Sequence, residues 1–161
     1  MIQTEANYIQ NLTIFFDIII KPLQKLDTPF KRSFLNEPSV AVSFQLLNDL
    51  YITSKDFHTG LTKAGSAEHM AKVYLDFAPS LQLYSQYISE NTACLIAIKS
   101  YNRQLREFSQ NLPERYSIEE FLVLPLSHFN TYGLKLQEFV WLTPVARPEH
   151  RYVGIYDVYS V

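Results

Sequence analysis

The chain has 161 residues, 47% hydrophobic, 19% charged and 14% aromatic, with 14 Lys and Arg against 16 Asp and Glu. A net charge of -2 leaves no basic field for a nucleic acid backbone, and four glycines against eleven Tyr and eleven Phe argue against an all-β sandwich and against disorder. A length of this order corresponds to about one domain, able to bury roughly 70% of the surface that its unfolded chain exposes.

From Thr4 to about Lys25, apolar residues recur every three or four positions at Ile9, Leu12, Phe16, Ile19, Ile20 and Leu23, which predicts a first helix. Gln3, Asn7, Gln10, Asp17 and Lys21 fall mostly on its other face, and Pro22 is expected to kink or end it. The most apolar run, residues 12–20, is shorter than the roughly 20 residues of a membrane span and carries Asp17. It lacks a basic region ahead of it, so it does not read as a secretory signal. Asn11-Leu12-Thr13 matches a glycosylation sequon, but inside this helix it is read as ordinary helix surface.

Thr28-Pro29 and Asn36-Glu37-Pro38 are expected to bracket a loop. A second helix then runs from about Val40 to Thr62, with Phe44, Leu47, Leu50, Tyr51, Ser54, Phe57 and Leu61 as its stripe and with Gly60 and Gly65 marking its end and the next turn. A third helical segment extends from Glu68 to about Leu112, divided or bent at Pro79 and Asn91. Asn111-Leu112-Pro113 closes it, and Ser117-Ile118-Glu119-Glu120 opens a last helix that reaches about Leu142. Past Arg147-Pro148 the character changes, and Tyr152–Tyr159 reads as a strand-prone or disordered tail. The predicted fold class is all-α, a bundle of long helices.

Few chemical motifs stand out. His58, His69, His128 and His150 are not spaced as ligands, so no metal is expected, and each is read as a surface or half-buried residue. No glycine-rich phosphate loop or nucleophile elbow occurs. The single cysteine, Cys94, lies in an apolar run as a small core residue, and its solitude points to a reducing, cytoplasmic setting. Glu119-Glu120 reads as helix-start electrostatics, since neighbours on a helix point about 100° apart. No cofactor and no covalent catalysis are expected.

The order of particular residues is more specific. Gln3-Thr4-Glu5-Ala6-Asn7-Tyr8-Ile9-Gln10-Asn11-Leu12, with Phe16 and Lys21-Pro22-Leu23, resembles the first conserved region of the Dbl homology domain, the exchange unit of Rho-family guanine nucleotide exchange factors. Phe44–Leu50 with Phe57–Leu61 is similar to that family's next helix, and Phe77–Asn91 to its second conserved region. Phe121–Glu138 resembles the family's last conserved region, and Thr143-Pro144 the dipeptide that follows it. The four stretches, in order, cover about residues 2–144.

The resemblance implies an elongated, antiparallel helical bundle whose first and last conserved regions lie side by side as a surface for a small GTPase of the Rho, Rac or Cdc type. It assigns 1–144 to the Dbl homology-like domain, one helix short at its C-terminal end, and 145–161 to an atypical tail. Glu5 matches the family's acidic contact to the first GTPase switch; read without the resemblance, it is a first-turn helix acid. Gln137 stands where the family carries a lysine, and Lys135, about 200° away round the helix, does not replace it. Ser127-His128 replaces a Gln-Arg pair. Asn130 and Trp141 are further candidate contacts, although a Trp at the end of an amphipathic helix also reads as a packing residue. The implied function is nucleotide exchange on a Rho-family GTPase, or a GTPase-binding scaffold that has lost exchange activity.

Overall fold

Prolines set several of the joints between helices, because a residue without an N–H is tolerated in the first turn of a helix and disrupts its interior. The computed structural model describes residues 1–114 and 116–142, and the side chains of these except 136 and 139–142. Helix α1 (Ile2–Ile14) passes through a wider π-helical turn at Phe15–Ile20 into the short α2 (Lys21–Lys25), where Pro22 occupies the first turn. The expected break at Pro22 is therefore taken up one turn earlier, as a π turn inside a continuous helical path.

The stretch expected to be a loop is largely helical. Thr28 accepts a hydrogen bond from the Lys31 amide at 3.2 Å and caps α3 (Pro29–Leu35), which buries Phe34. Seven residues carry too little periodicity for a helix to be read from them, and the cap with Pro29 is what starts it. Helix α4 (Pro38–Lys63) begins at Pro38 and runs past Gly60, so Gly60 does not end it. A methyl group at Gly60 would lie 2.9 Å from Val73 Cγ1, so this glycine permits a close approach of the following helix.

Ser66 caps α5 (Ala67–Phe77) by accepting from the His69 amide. Pro79 then sits in a single 3-10 turn, Ala78–Ser80, before α6 (Leu81–Ser100). Asn91 does not divide α6 and is buried within it; the second break comes at Tyr101, ahead of α7 (Asn102–Ser109). Tyr101 meets the Ser33 hydroxyl at 2.9 Å and packs edge-on to Phe34, which ties this joint to α3. The last helix, α8 (Ile118–Leu142), contains Pro125. The predicted tail, 145–161, lies outside the described residues.

Contact pairs run in opposite directions along neighbouring helices. Tyr8 meets His128 while Phe15 meets Phe121, so α1 and α8 are antiparallel, and Tyr84 meets Tyr132 while Tyr87 donates to the Leu122 carbonyl at 2.8 Å. The described residues form the expected all-α antiparallel bundle, with α4 and α6 packed together at its centre and α1 and α8 on one side. Its core is aromatic: Phe57 stacks on Phe77 with centroids 4.1 Å apart, and Phe15, Phe34, Tyr84 and Tyr87 are fully buried. Cys94 is buried as expected, and its burial pushes the thiol up to about 11.

Four buried hydroxyls make this core sensitive to alkali. Burial is the main cause holding Tyr8, Tyr84, Tyr87 and Tyr132 above the ordinary tyrosine value of 10.0, with Tyr84 pushed up to about 12. The unfolded chain loses these protons first, so the stability is present below about pH 10 and is lost as pH rises from there through the folded-state values. A combined titration of phenolate absorbance and far-ultraviolet circular dichroism should show the buried tyrosines ionising only with the loss of helix, above pH 10.

Candidate functional site

Leu12, Ile19, Ile20 and Leu23 of the expected stripe are buried, while Tyr8 and Phe15 take the buried places expected of Ile9 and Phe16, and the stripe reaches back to Glu5. Steps of three and four keep these on one face, so Glu5 lies on the core side of its helix and is 0% exposed. The facing stripe of α8 is Ile118, Phe121, Leu122, Pro125, His128 and Tyr132, and it places His128, 6% exposed, opposite Glu5. His128 is thus a core residue, not the surface or half-buried one expected.

The three polar groups form a hydrogen-bonded seam between the helices. His128 Nε2 lies 3.0 Å from Glu5 Oε2, and the Tyr132 hydroxyl donates to both Glu5 oxygens at 3.2 Å. His128 Nε2 is also 3.1 Å from the Tyr132 oxygen, and the Tyr84 hydroxyl lies 3.2 Å beyond it. With Glu5 as the acceptor at this point, His128 Nε2–H and the Tyr132 hydroxyl are the donors. With its own proton committed, the Tyr132 oxygen accepts from Tyr84. Burial, then the neighbouring Tyr84 and Glu5 charges, hold the Tyr132 hydroxyl well above its ordinary range, so it stays protonated as a donor. The Tyr8 ring stacks on His128, centroids 3.8 Å and planes 13° apart, and closes the seam from the α1 side.

The other candidates from the sequence lie elsewhere. Asn130 and Gln137 are exposed on the solvent side of α8, seven residues or about 10 Å apart along the axis, with exposed Leu134 between them. Neither meets Glu5. Trp141 belongs to the last turn of α8, and its side chain lies outside the described residues. Lys135 Nζ pairs with Glu138 at 2.8 Å, a surface pair that does not stand in for a lysine at position 137. Two residues of the seam were missed: His128 as a core group, and Tyr132 as a hydrogen-bond donor. The signal that could have found them is the spacing 125, 128, 132 continuing the stripe from Phe121, facing a stripe that starts at Glu5.

Among the described residues no group of three or more His, Cys, Asp or Glu is placed to hold a metal ion, and no helix is long and apolar enough to cross a membrane. The family model for the RhoGEF domain matches residues 1–155. The chain belongs to the RhoGEF domain family.

This RhoGEF domain is 25% identical to a Gallus gallus protein, "Rho guanine nucleotide exchange factor 3", over 79% of this chain and 26% of that protein. It is 22% identical to a Danio rerio "Ras-specific guanine nucleotide-releasing factor 2" over 94% of this chain and 13% of that protein. It is also 26% identical to a Rattus norvegicus "Ras-specific guanine nucleotide-releasing factor 1" over 89% of this chain and 12% of that protein. The chain spans about a quarter of the first of these relatives and about an eighth of the other two. No solved structure matches it.

In this RhoGEF domain, Glu5→Ala removes the acceptor that two buried donors share and leaves a cavity in the seam. The expected loss is about 3 kcal/mol of unfolding free energy. Glu5→Gln, which keeps an acceptor oxygen, should lose less, and urea unfolding of the two variants beside the parent checks the ranking.

Proposed function

We infer that the domain binds a small GTPase across α1 and α8 and speeds release of its GDP. The observation that carries the reading is the RhoGEF family match over residues 1–155, which includes both helices. The exposed polar residues Asn130 and Gln137, with Leu134 between them, supply a contact strip on α8 of the mixed character that a protein partner needs. The proposed contacts are Glu5, Asn130, Gln137 and Trp141, and the proposed partner is a GTPase of the Rho, Rac or Cdc type, met in the cytoplasm. The printed names of the relatives include both Rho and Ras factors, so Ras-type proteins belong in any test.

Exchange of this kind needs no covalent chemistry. A GTPase that holds GDP at roughly picomolar affinity has about 16 kcal/mol of binding to overcome. The domain lowers that by preferring the nucleotide-free conformation, and the preference sets the acceleration.

A second reading is a GTPase-binding module without exchange activity. Two observations favour it: both oxygens of the Glu5 carboxylate already accept hydrogen bonds inside the seam, and position 137 carries an uncharged amide.

Release of a fluorescent GDP analogue from Rho, Rac, Cdc and Ras-type GTPases separates the two. Acceleration supports the exchange reading; retained binding without acceleration leaves the binding module. Gln137→Lys, at an exposed position, should raise the exchange rate about fivefold, the factor that ~1 kcal/mol of charge assistance supplies.

A further inference from the structure

The carboxylate that the exchange reading aims at a GTPase has no free face. Both Glu5 oxygens are occupied by donors from α8, and the residue is fully covered. Its surroundings are otherwise open to rearrangement. Glu5 lies in the first turn of α1, its amide bonded to the Met1 carbonyl at 2.9 Å, and the flanking Ile2, Gln3 and Asn7 are exposed. A first turn lacks intrahelical partners for its leading N–H groups and is among the parts of a helix that open most readily. The hold on Glu5 therefore comes from α8 and not from α1 itself.

Two groups supply that hold. Tyr132 reaches both carboxylate oxygens, and its own oxygen is backed by Tyr84 of α6, so its proton stays directed at Glu5. His128 adds the second donor and is fixed in place by the Tyr8 ring stacked on it. Both bonds end on the same carboxylate, so losing either one weakens the hold on Glu5.

We propose that His128 and Tyr132 are positioning residues that hold Glu5 closed against α8, so that opening of this seam limits how often the carboxylate reaches a GTPase. The proposal rests on the exchange reading. Its consequence is that removing a donor from the seam speeds exchange, the opposite of what loss of an ordinary supporting contact does.

The test compares the parent with Tyr132→Phe, His128→Ala and His128→Gln, each first shown to be folded by circular dichroism. Tyr132→Phe keeps the ring and removes the donor; His128→Gln keeps a side-chain N–H donor of similar reach. GDP release from the responsive GTPase should be about tenfold faster with Tyr132→Phe and His128→Ala, and near the parent rate with His128→Gln. Amide hydrogen exchange at residues 5–8 should be faster in the first two variants and restored in the third. Unchanged or slower GDP release in folded Tyr132→Phe and His128→Ala overturns the proposal. If neither the parent nor any variant accelerates release from any GTPase, the exchange reading fails. The closure is then decided by hydrogen exchange alone: unchanged protection at residues 5–8 overturns it, and faster exchange restored by His128→Gln supports it.

Discussion

A carboxylate removed from water has to be met by donors, or its desolvation outweighs whatever holds the surrounding helices together. Glu5 is in that position, and the described part of the bundle is arranged around satisfying it. His128 and Tyr132, four residues apart on one face of α8, converge on it, and Tyr84 of α6 completes the chain of hydroxyls. Hydrogen bonds have narrow distance limits, so this one cluster sets how far α1 can slide along α8. Apolar contacts farther down, such as Phe15 against Phe121, then pack in the register that the polar cluster allows.

The aromatic content has a related role. Large flat rings fill the space between helices, and among the described glycines only Gly60 has a neighbour, Val73, close enough to exclude a side chain. Buried tyrosines add a cost that phenylalanines do not have, because each hydroxyl wants a partner. Tyr87 uses the Leu122 carbonyl, and Tyr84 uses Tyr132. The core is thus specified by directional bonds as well as by volume, which ties α6 to α8 at two levels along their length.

The two faces of α8 carry separate tasks. Its inner face, from Ile118 to Tyr132, belongs to the core and the seam; its outer face carries Asn130, Leu134 and Gln137 to solvent. Substitutions on the outer face change what a partner meets without disturbing the fold. Substitutions on the inner face change both at once, since Glu5 is at the same time a structural ion and a proposed contact. Stability and partner recognition are coupled at one residue, and that coupling is why the seam and the outer strip call for different experiments.

The all-α class, the ends of the second and last predicted helices, the division at Pro79 and the family itself were legible in the sequence, whereas the break at Tyr101 was not. Each legible feature depends on local periodicity, on proline, or on the order of a few residues. The helix at Pro29–Leu35 was not legible, because seven residues form too short a window and its start depends on the Thr28 cap. Gly60 read as a stop, although the helix runs through it; only the nearness of Val73 explains a glycine there. Glu5 and His128 were visible as residue types, but their environment was not. Periodicity ranks positions by apolar character, and a carboxylate or an imidazole on the stripe counts against burial until a facing helix supplies its partner. The sequence by itself determined where the long helical segments lie and what they are related to. Only the tertiary structure decided that Glu5 is buried, because its burial depends on donors 123 and 127 residues away.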